Sequence, residues 1–450
     1  MTIKLTDDDL YPHYSYGEKF SLDQIKTFWR NTVKMIKDKK APGKLGLYIH
    51  IPFCHQKCQF CFCDSYIPSC YKVATDYLSL LKNEIDVFKN IFKTVSFTSV
   101  YFGGGSPSFL KIKDLDGLFK KIYSSFRIRS DAQIIFEGTP RDLNSENLSL
   151  IARHGVNRLT IGVQSLDPKV ITRMKRPQTK RDFIQVFKTA RRLGIPYINI
   201  DLIAGLEGQS VKSFLSDLKT VLELGADMVH VTGFTPLDHT PFCRAGKKLS
   251  LKQKKNREIM IQRSHEILSR FYRDISAENP GRTPGAENVQ ETDLRKENSS
   301  LLGIGYSAQS HAFGQAWYQH PHVIMMKKKP LYKDLPPFAG VRGSLDEEMR
   351  KFLFSNLQRG FSRRFFCRLF KKDVLNVFKR ELFELVRMGK LRIEGDRIIS
   401  FIRRRQDFLI YSKYFYSPNR IRSIFKVHEK EYDENVDYQK KLDILYAGTD

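Results

Sequence analysis

The chain has 450 residues, with 76 Lys and Arg against 49 Asp and Glu and a net charge of +27. That length is enough for two or three domains, or for one large α/β domain with appendages, but no apolar run reaches the roughly 18–20 residues of a membrane span and the N-terminus, MTIKLTDDDLYPHY, has no signal-peptide core. Seven cysteines, few and clustered, exclude a secreted disulfide scaffold and point to a reducing, cytoplasmic setting, while the charge fits an anionic partner or a plain solvated surface equally.

Residues 1–45 read as a lead-in segment carrying one amphipathic helix, LDQIKTFWRNTVKMIKDKK, closed by the breaker APGK. From 46 to about 235, short apolar strands alternate with helical patterns: LGLYIHI, YLSLLKNEIDVFKNIF, SVYFGGG, LDGLFKKIYSSF, AQIIFEG, LSLIARHG, RLTIGVQ, FIQVFKTARRLG, YINIDLIAGL, FLSDLKTVLELG and MVHVTGF. Strands too apolar to face water on one side imply a parallel sheet, so the expected fold is α/β, a partial TIM-like (βα)6 barrel over residues 46–275.

Ligands of such sheets sit at the C-terminal ends of the strands. The polar outliers fall there: Cys54 after the first strand, Gly103 to Gly105 after the second, Glu137 at the third, Gln164 at the fourth and Asp201 within the fifth.

Residues 275–300 are polar and breaker-rich and read as a long loop, after which LLGIGYSAQSHAFG packs back onto the barrel mouth, giving a segment 276–330. Residues 331–450 turn basic and aromatic, with helices and the hairpin-like LRIEGDRIISFI, and read as a small C-terminal helical or winged-helix-like domain. Within it, 359–383 interleaves phenylalanine with arginine and lysine, as expected either of a basic surface against anionic lipid or of a helix with its apolar side in a core. No nucleic-acid-binding motif accompanies the charge.

The loop CHQKCQFCFC, 54–63, holds Cys54, Cys58 and Cys61 at C-x3-C-x2-C spacing, with Cys63 two residues on. Soft thiolates select an iron–sulfur cluster or zinc. A zinc ribbon would carry a second C-x2-C about 15–20 residues later. Only Cys70 stands in that region.

C-x3-C-x2-C is the signature of the radical S-adenosylmethionine (SAM) enzymes, and the resemblance runs on through LYIHIPFC, YFGGGSPSFL, IIFEGTPRDL, GVNRLTIGVQSLDPKVITRMKR, INIDLIAGL and LLGIGYSAQSHAFG. In that order these segments resemble the HemN-like, coproporphyrinogen oxidase-like branch of the superfamily. The resemblance implies a [4Fe-4S] cluster on Cys54, Cys58 and Cys61, with Tyr48 beside it and Cys63 not a ligand. It further implies SAM held by Gly103, Gly104, Gly105 and Ser106, a GGTP-type motif with serine for threonine, and by Glu137, Gln164, Arg176 and Asp201. Taken singly, these carboxylates and glycines are ordinary strand-end and turn residues; it is their ordered co-occurrence that carries the inference.

The branch contains porphyrinogen decarboxylation, two-SAM C-methylation, haem ring-opening and haem delivery. The lead-in LYPHYSYGEKF and the stretch SAENPGRTPG at 276–285 depart from the decarboxylase pattern. By elimination the expected activity is C-methyl or methylene transfer to a flat apolar acceptor such as menaquinone, with coproporphyrinogen III oxidation and haem carriage as alternatives. A second SAM would then rest against Gly103, Ile203, Phe234 and Gly303 to Gln309, positions that barrel packing explains equally. The partners implied are a small-molecule substrate, an electron donor such as flavodoxin or ferredoxin, and peripheral contact with an anionic inner membrane.

Overall fold

The computed structural model describes residues 18–176, 178–272, 288–323 and 338–427, with short pieces at 3–5, 274–275, 280–281, 286, 440–441 and 445–447. Most of LYPHYSYGEKF, most of SAENPGRTPG and the stretch 324–337 therefore lie outside the described residues.

The six expected strands all form: Leu45–Ile51 (β1), Phe97–Gly104 (β2), Ile128–Gly138 (β3), Arg158–Gln164 (β4), Tyr197–Ala204 (β5) and Met228–Gly233 (β6). Each pairs in parallel with the next, because the intervening helices carry the chain back across the sheet. Those helices include Tyr71–Lys89 (α1), Ile112–Ser125 (α2), Ser145–Arg153 (α3), Lys180–Arg192 (α4) and Val211–Glu223 (α5). Helix α4 shows why they stay: Thr179 and Asp182 form a capping box, and Phe183, Val186, Phe187 and Ala190 repeat at helical spacing and are buried. Both faces of β1 are covered, as its unbroken apolar run requires.

LLGIGYSAQSHAFG is part of the sheet as well as of its C-terminal edge. Its first part, Ser300–Ile304 (β7), enters the sheet in parallel beside β1, making seven parallel strands. Gln309–Ala312 (β8), Ala316–Gln319 (β9), Phe338–Arg342 (β10) and Glu18–Phe20 extend that edge antiparallel. Among the described residues the sheet has thirteen strands and ends at Asp274–Ile275 on the other side. The polar stretch before β7 also folds locally, into the Asn288-capped helix Val289–Lys296 (α6). From it Gln290 donates to the Leu47 carbonyl at 3.0 Å and to Ser99 Oγ at 3.2 Å, holding α6 against β1 and β2.

The C-terminal domain joins Leu345–Asn356 (α7), Arg363–Phe370 (α8) and Lys379–Arg387 (α9) to a three-stranded antiparallel sheet of Phe361–Ser362, Arg397–Ser400 and Leu391–Glu394, a winged-helix-like arrangement. Its core decides how the basic, phenylalanine-rich stretch is used. Phe366, Phe370 and Phe378 are buried, and Phe361 and Phe365 pack against them. Among the phenylalanines of that stretch only Phe383 is largely exposed, at 49%. The interleaved pattern is thus a helix with its apolar side in a protein core, and the lipid surface expected from it loses its apolar component.

The domain docks on the sheet through a buried polar cluster. Glu348 accepts from His311 at 2.9 Å, Asn298 at 2.8 Å and the Gly314 amide at 2.9 Å, while Lys351 donates to Asn298 Oδ1 at 3.2 Å. No helix among the described residues is long and apolar enough to cross a membrane.

Candidate functional site

The chain leaves β1 through Pro52 and Phe53 into the cysteine loop, whose two ends are stitched together. Tyr66 donates its amide to the Pro52 carbonyl at 2.6 Å, and Cys54 donates to the Tyr66 carbonyl at 3.1 Å. The end of β2 presses on the same entry: Gly105 N–H bonds to Ile51 O at 2.8 Å and Ser106 N–H to Phe53 O at 2.9 Å. A Cβ on Gly105 would lie 2.7 Å from the Pro52 carbonyl carbon and oxygen, so this glycine is demanded by backbone contact alone. Gly104 has φ +114° and rests on the His50 ring.

All seven cysteines are free. Among the described residues no three His, Cys, Asp or Glu side chains converge on a single metal ion. A four-iron cluster is wider than one ion, and the donor set suits it: three thiols on one loop, with Cys58 and Cys61 against Phe60, Met174, Phe234 and Phe242. Burial pushes the Cys54 thiol up to about 12 and raises that of Cys58 against the pull of Arg176. Cys61 is lowered, by its hydrogen bond with Cys63. Thiols held neutral by burial are the ones a positively charged iron centre would ionise on binding.

Tyr48 stands on β1 with its hydroxyl 3.3 Å from His50 Nδ1 and its ring edge-on to Tyr101 at 5.6 Å. Tyr101 donates a very short hydrogen bond to Glu137. Burial raises the Glu137 carboxyl to about 7, the Tyr101 bond lowers it, and Asp201 raises it further. A Cβ on Gly103 would come within 3.1 Å of Tyr48 and 3.2 Å of Glu137 Oε2, so glycine keeps open the space between the two. Asp201 accepts from Asn199 at 2.8 Å and faces His230 at 3.6 Å.

Gln164 ends β4 at φ +68°, on a β-bulge opposite Asp201 and Leu202. A Cβ on Gly162 would be 3.1 Å from Gln164 Nε2 and 3.2 Å from Arg176 Nη2, so these two side chains converge over that glycine. Arg176 donates to the Gly162 carbonyl, to Gln178 at 3.0 Å and to Cys58 Sγ at 3.6 Å. It therefore bridges the end of β4 and the thiol loop. The Ser106 hydroxyl is bonded to Ser108 at 2.9 Å and to Asp142 at 3.4 Å, and Asp142 in turn faces His55 of the cysteine loop at 3.5 Å.

The structure thus gathers Tyr48, Gly103, Glu137, Gln164, Arg176, Asp201 and the thiol loop toward the C-terminal ends of neighbouring strands, with Ser106 buried beside the loop entry and bonded to Asp142. Of the second-SAM positions, Ile203 and Phe234 lie in the apolar cluster against Cys58 and Cys61. Gly303 is required by packing, since a Cβ there would be 2.3 Å from the Gln309 carbonyl. Sequence reasoning missed His50, Tyr101 and the buried Arg158, which donates to Thr160 at 3.0 Å and whose charge acts on Glu137. The signal for the first two was present: each shares a strand face with a chosen residue, His50 with Tyr48 and Tyr101 with Gly103, two positions apart.

Residues 48–221 match the Radical SAM superfamily. Oxygen-independent coproporphyrinogen III oxidase of Helicobacter pylori J99 is 32% identical over 82% of this chain and 84% of its own length. That of Escherichia coli K12 is 34% identical over 193 residues, and the chain spans only 42% of its length. The solved structure of coproporphyrinogen III oxidase (HemN) from Escherichia coli overlays with a TM-score of 0.73 at 23% identity, over 92% of this chain and 99% of that one. The chain belongs to the radical SAM superfamily, whose members work with a [4Fe-4S] cluster and SAM, and within it to the HemN-like, oxygen-independent coproporphyrinogen III oxidase branch.

Proposed function

We propose that the protein oxidatively decarboxylates propionate side chains of a porphyrinogen, in line with its similarity to proteins named oxygen-independent coproporphyrinogen III oxidase. The observation that carries this reading is the 32% identity to the Helicobacter pylori oxidase over 84% of that protein. The expectation of methyl transfer to menaquinone rested on elimination and draws no support from these relatives.

In this reading Cys54, Cys58 and Cys61 would hold the cluster. Bound there, it would supply the one-electron reduction that SAM cleavage needs. The chain's own residues orient the cofactor. Glu137, braced by Tyr101, accepts ribose hydroxyls. Arg176 and Gln164 grip the methionine end beside Cys58. Asp201, fixed by Asn199, stands across from Glu137, and Gly103 leaves room between Tyr48 and that carboxylate. A second SAM would lie toward Ile203 and Phe234. The net change per side chain is loss of carbon dioxide, of one hydrogen atom to the deoxyadenosyl group, and of one electron to an external acceptor, leaving a vinyl group. An external donor such as flavodoxin or ferredoxin, in a reducing compartment, would supply the electron for SAM cleavage.

The test is anaerobic incubation of the reconstituted protein with coproporphyrinogen III, methyl-labelled SAM and reductant, with mass spectrometry of the products. Porphyrin that has lost carboxyl groups, with 5'-deoxyadenosine in step, supports the proposal. Deoxyadenosine with unchanged porphyrin, or label appearing in the porphyrin without decarboxylation, rejects it.

A further inference from the structure

Asp64, three residues past the last cysteine of the ligand spacing, is held from three sides. Its backbone carbonyl bonds His50 Nε2 at 3.1 Å, and its carboxylate meets His322 Nε2 at 2.6 Å and the Ser307 hydroxyl. Burial alone would raise the carboxyl, but the His322 bond and charge hold it below its ordinary value. A lone, partly exposed ion pair would mean little. Here the far side of the grip is itself built and fixed.

Ser307 and Gly305 sit in the turn after β7 at φ +59° and +99°. A left-handed serine persists only where its surroundings over-determine it. They do: Ser307 N–H bonds to Pro321 O at 2.9 Å and Ser307 Oγ accepts from Val323 N–H at 3.0 Å. Gly305 N–H bonds to Glu84 Oε2 at 3.0 Å, and the other oxygen of Glu84 meets His320 at 2.5 Å, with both residues of that pair buried. Tyr77 then ties the turn to β1, donating to His50 O at 2.7 Å while accepting from Tyr306 N–H at 3.2 Å. The distal end of the cysteine loop therefore rests on a rigid support made of α1, the β7 turn and residues 320–323.

We propose that Asp64 is a positioning residue that locks the distal end of the cysteine loop to the β7 turn, so that the thiols and that wall of the site are set together. This rests on the assignment of the loop as the cluster site. Because Asp64 touches no proposed ligand atom, its loss would leave the cluster in place and loosen the orientation in which SAM is taken up.

The experiment uses the full chain as wild type, Asp64→Ala, Asp64→Asn and His322→Ala, reconstituted anaerobically with iron and sulfide. Iron should stay at about four per chain in all. The SAM concentration that half-shifts the electron paramagnetic resonance spectrum of the reduced cluster should rise about tenfold in Asp64→Ala and His322→Ala, as for loss of one charge-assisted hydrogen bond. It should rise no more than about threefold in Asp64→Asn, which keeps an acceptor for His322. In cluster-free protein, amide exchange over residues 59–66 should speed up about tenfold in the two alanine variants and stay unchanged in β2 to β4. Unchanged half-saturation and unchanged exchange would overturn the proposal, and so would an asparagine variant as impaired as alanine. A wild type with no SAM-dependent spectral shift would reject the site assignment instead, and the exchange measurement would still judge the lock.

Discussion

Replacing Glu137 by glutamine should stabilise the cluster-free protein while weakening its hold on SAM. The carboxyl is raised from 4.5 to about 7, chiefly by burial and then by Asp201 against the pull of Tyr101. At about 1.4 kcal/mol per unit, keeping it ionised costs about 3 kcal/mol. The sign follows from the direction: with the folded value above the unfolded one, the native state binds the extra proton, so stability is full below 4.5 and is lost as pH rises through about 7. Glutamine has nothing to titrate and still accepts from Tyr101 through its amide oxygen. The stability gap between Glu137→Gln and wild type, from urea midpoints of apo protein, should therefore be about 3 kcal/mol at pH 8 and under about 1 kcal/mol at pH 5. SAM affinity of the reconstituted variant should fall about tenfold, since a neutral acceptor replaces a charged one. A gap that does not change with pH, or a variant less stable than wild type at pH 8, would refute the reasoning.

The remaining expectations follow from single contacts. Replacing Cys54, Cys58 and Cys61 together by alanine should abolish iron and sulfide binding, whereas Cys63→Ser should keep the brown chromophore; iron analysis decides, and loss of colour in the serine variant would displace the ligand set. Gly105→Ala, whose Cβ would meet the Pro52 carbonyl at 2.7 Å, should cost about 1–3 kcal/mol and lower cluster loading, while Gly155→Ala, with nothing within 4 Å but φ +79°, should cost about 1 kcal/mol and leave loading alone. Glu348→Ala should destabilise by about 3–5 kcal/mol, because His311 and Asn298 are left buried without their common acceptor and Lys351 without the neighbouring negative charge. Limited proteolysis should then release the C-terminal domain faster than in wild type.

What was legible in the sequence was whatever leaves a mark within one element. β1 to β5 are buried on both faces along most of their length, so each appears as an apolar run, and the residues that break those runs toward their C-terminal ends are among those the fold gathers: Glu137, Gln164 and Asp201. What was not legible depends on a partner far along the chain. Ser300–Ile304 has the same apolar look whether it covers the mouth or enters the sheet, and only its pairing with residues 45–49 decides. Glu348 is one charge among many until His311, 37 residues away, and Asn298, 50 away, close over it.

The phenylalanine-rich basic stretch makes the same point from the other side. An amphipathic helix has an apolar face whether that face meets lipid or protein, and periodicity records the face without its partner. Phe366 and Phe370 turn to Phe352 at ring distances of 5.5 and 5.8 Å. The deciding residue thus lies on α7, outside the stretch that raised the question. The cysteine loop is legible for the opposite reason. Its ligand atoms are close in sequence because one short turn must present them to one cluster, so the chemistry itself compresses the signal into eight residues, 54–61. Asp64 belongs to the same loop yet gives no such signal, because what fixes it, Ser307 and His322, arrives from the far end of the sheet domain. Support is spread along the chain where donation is concentrated. A radical SAM site is therefore recognised from its ligands before the residues that hold those ligands in place can be named.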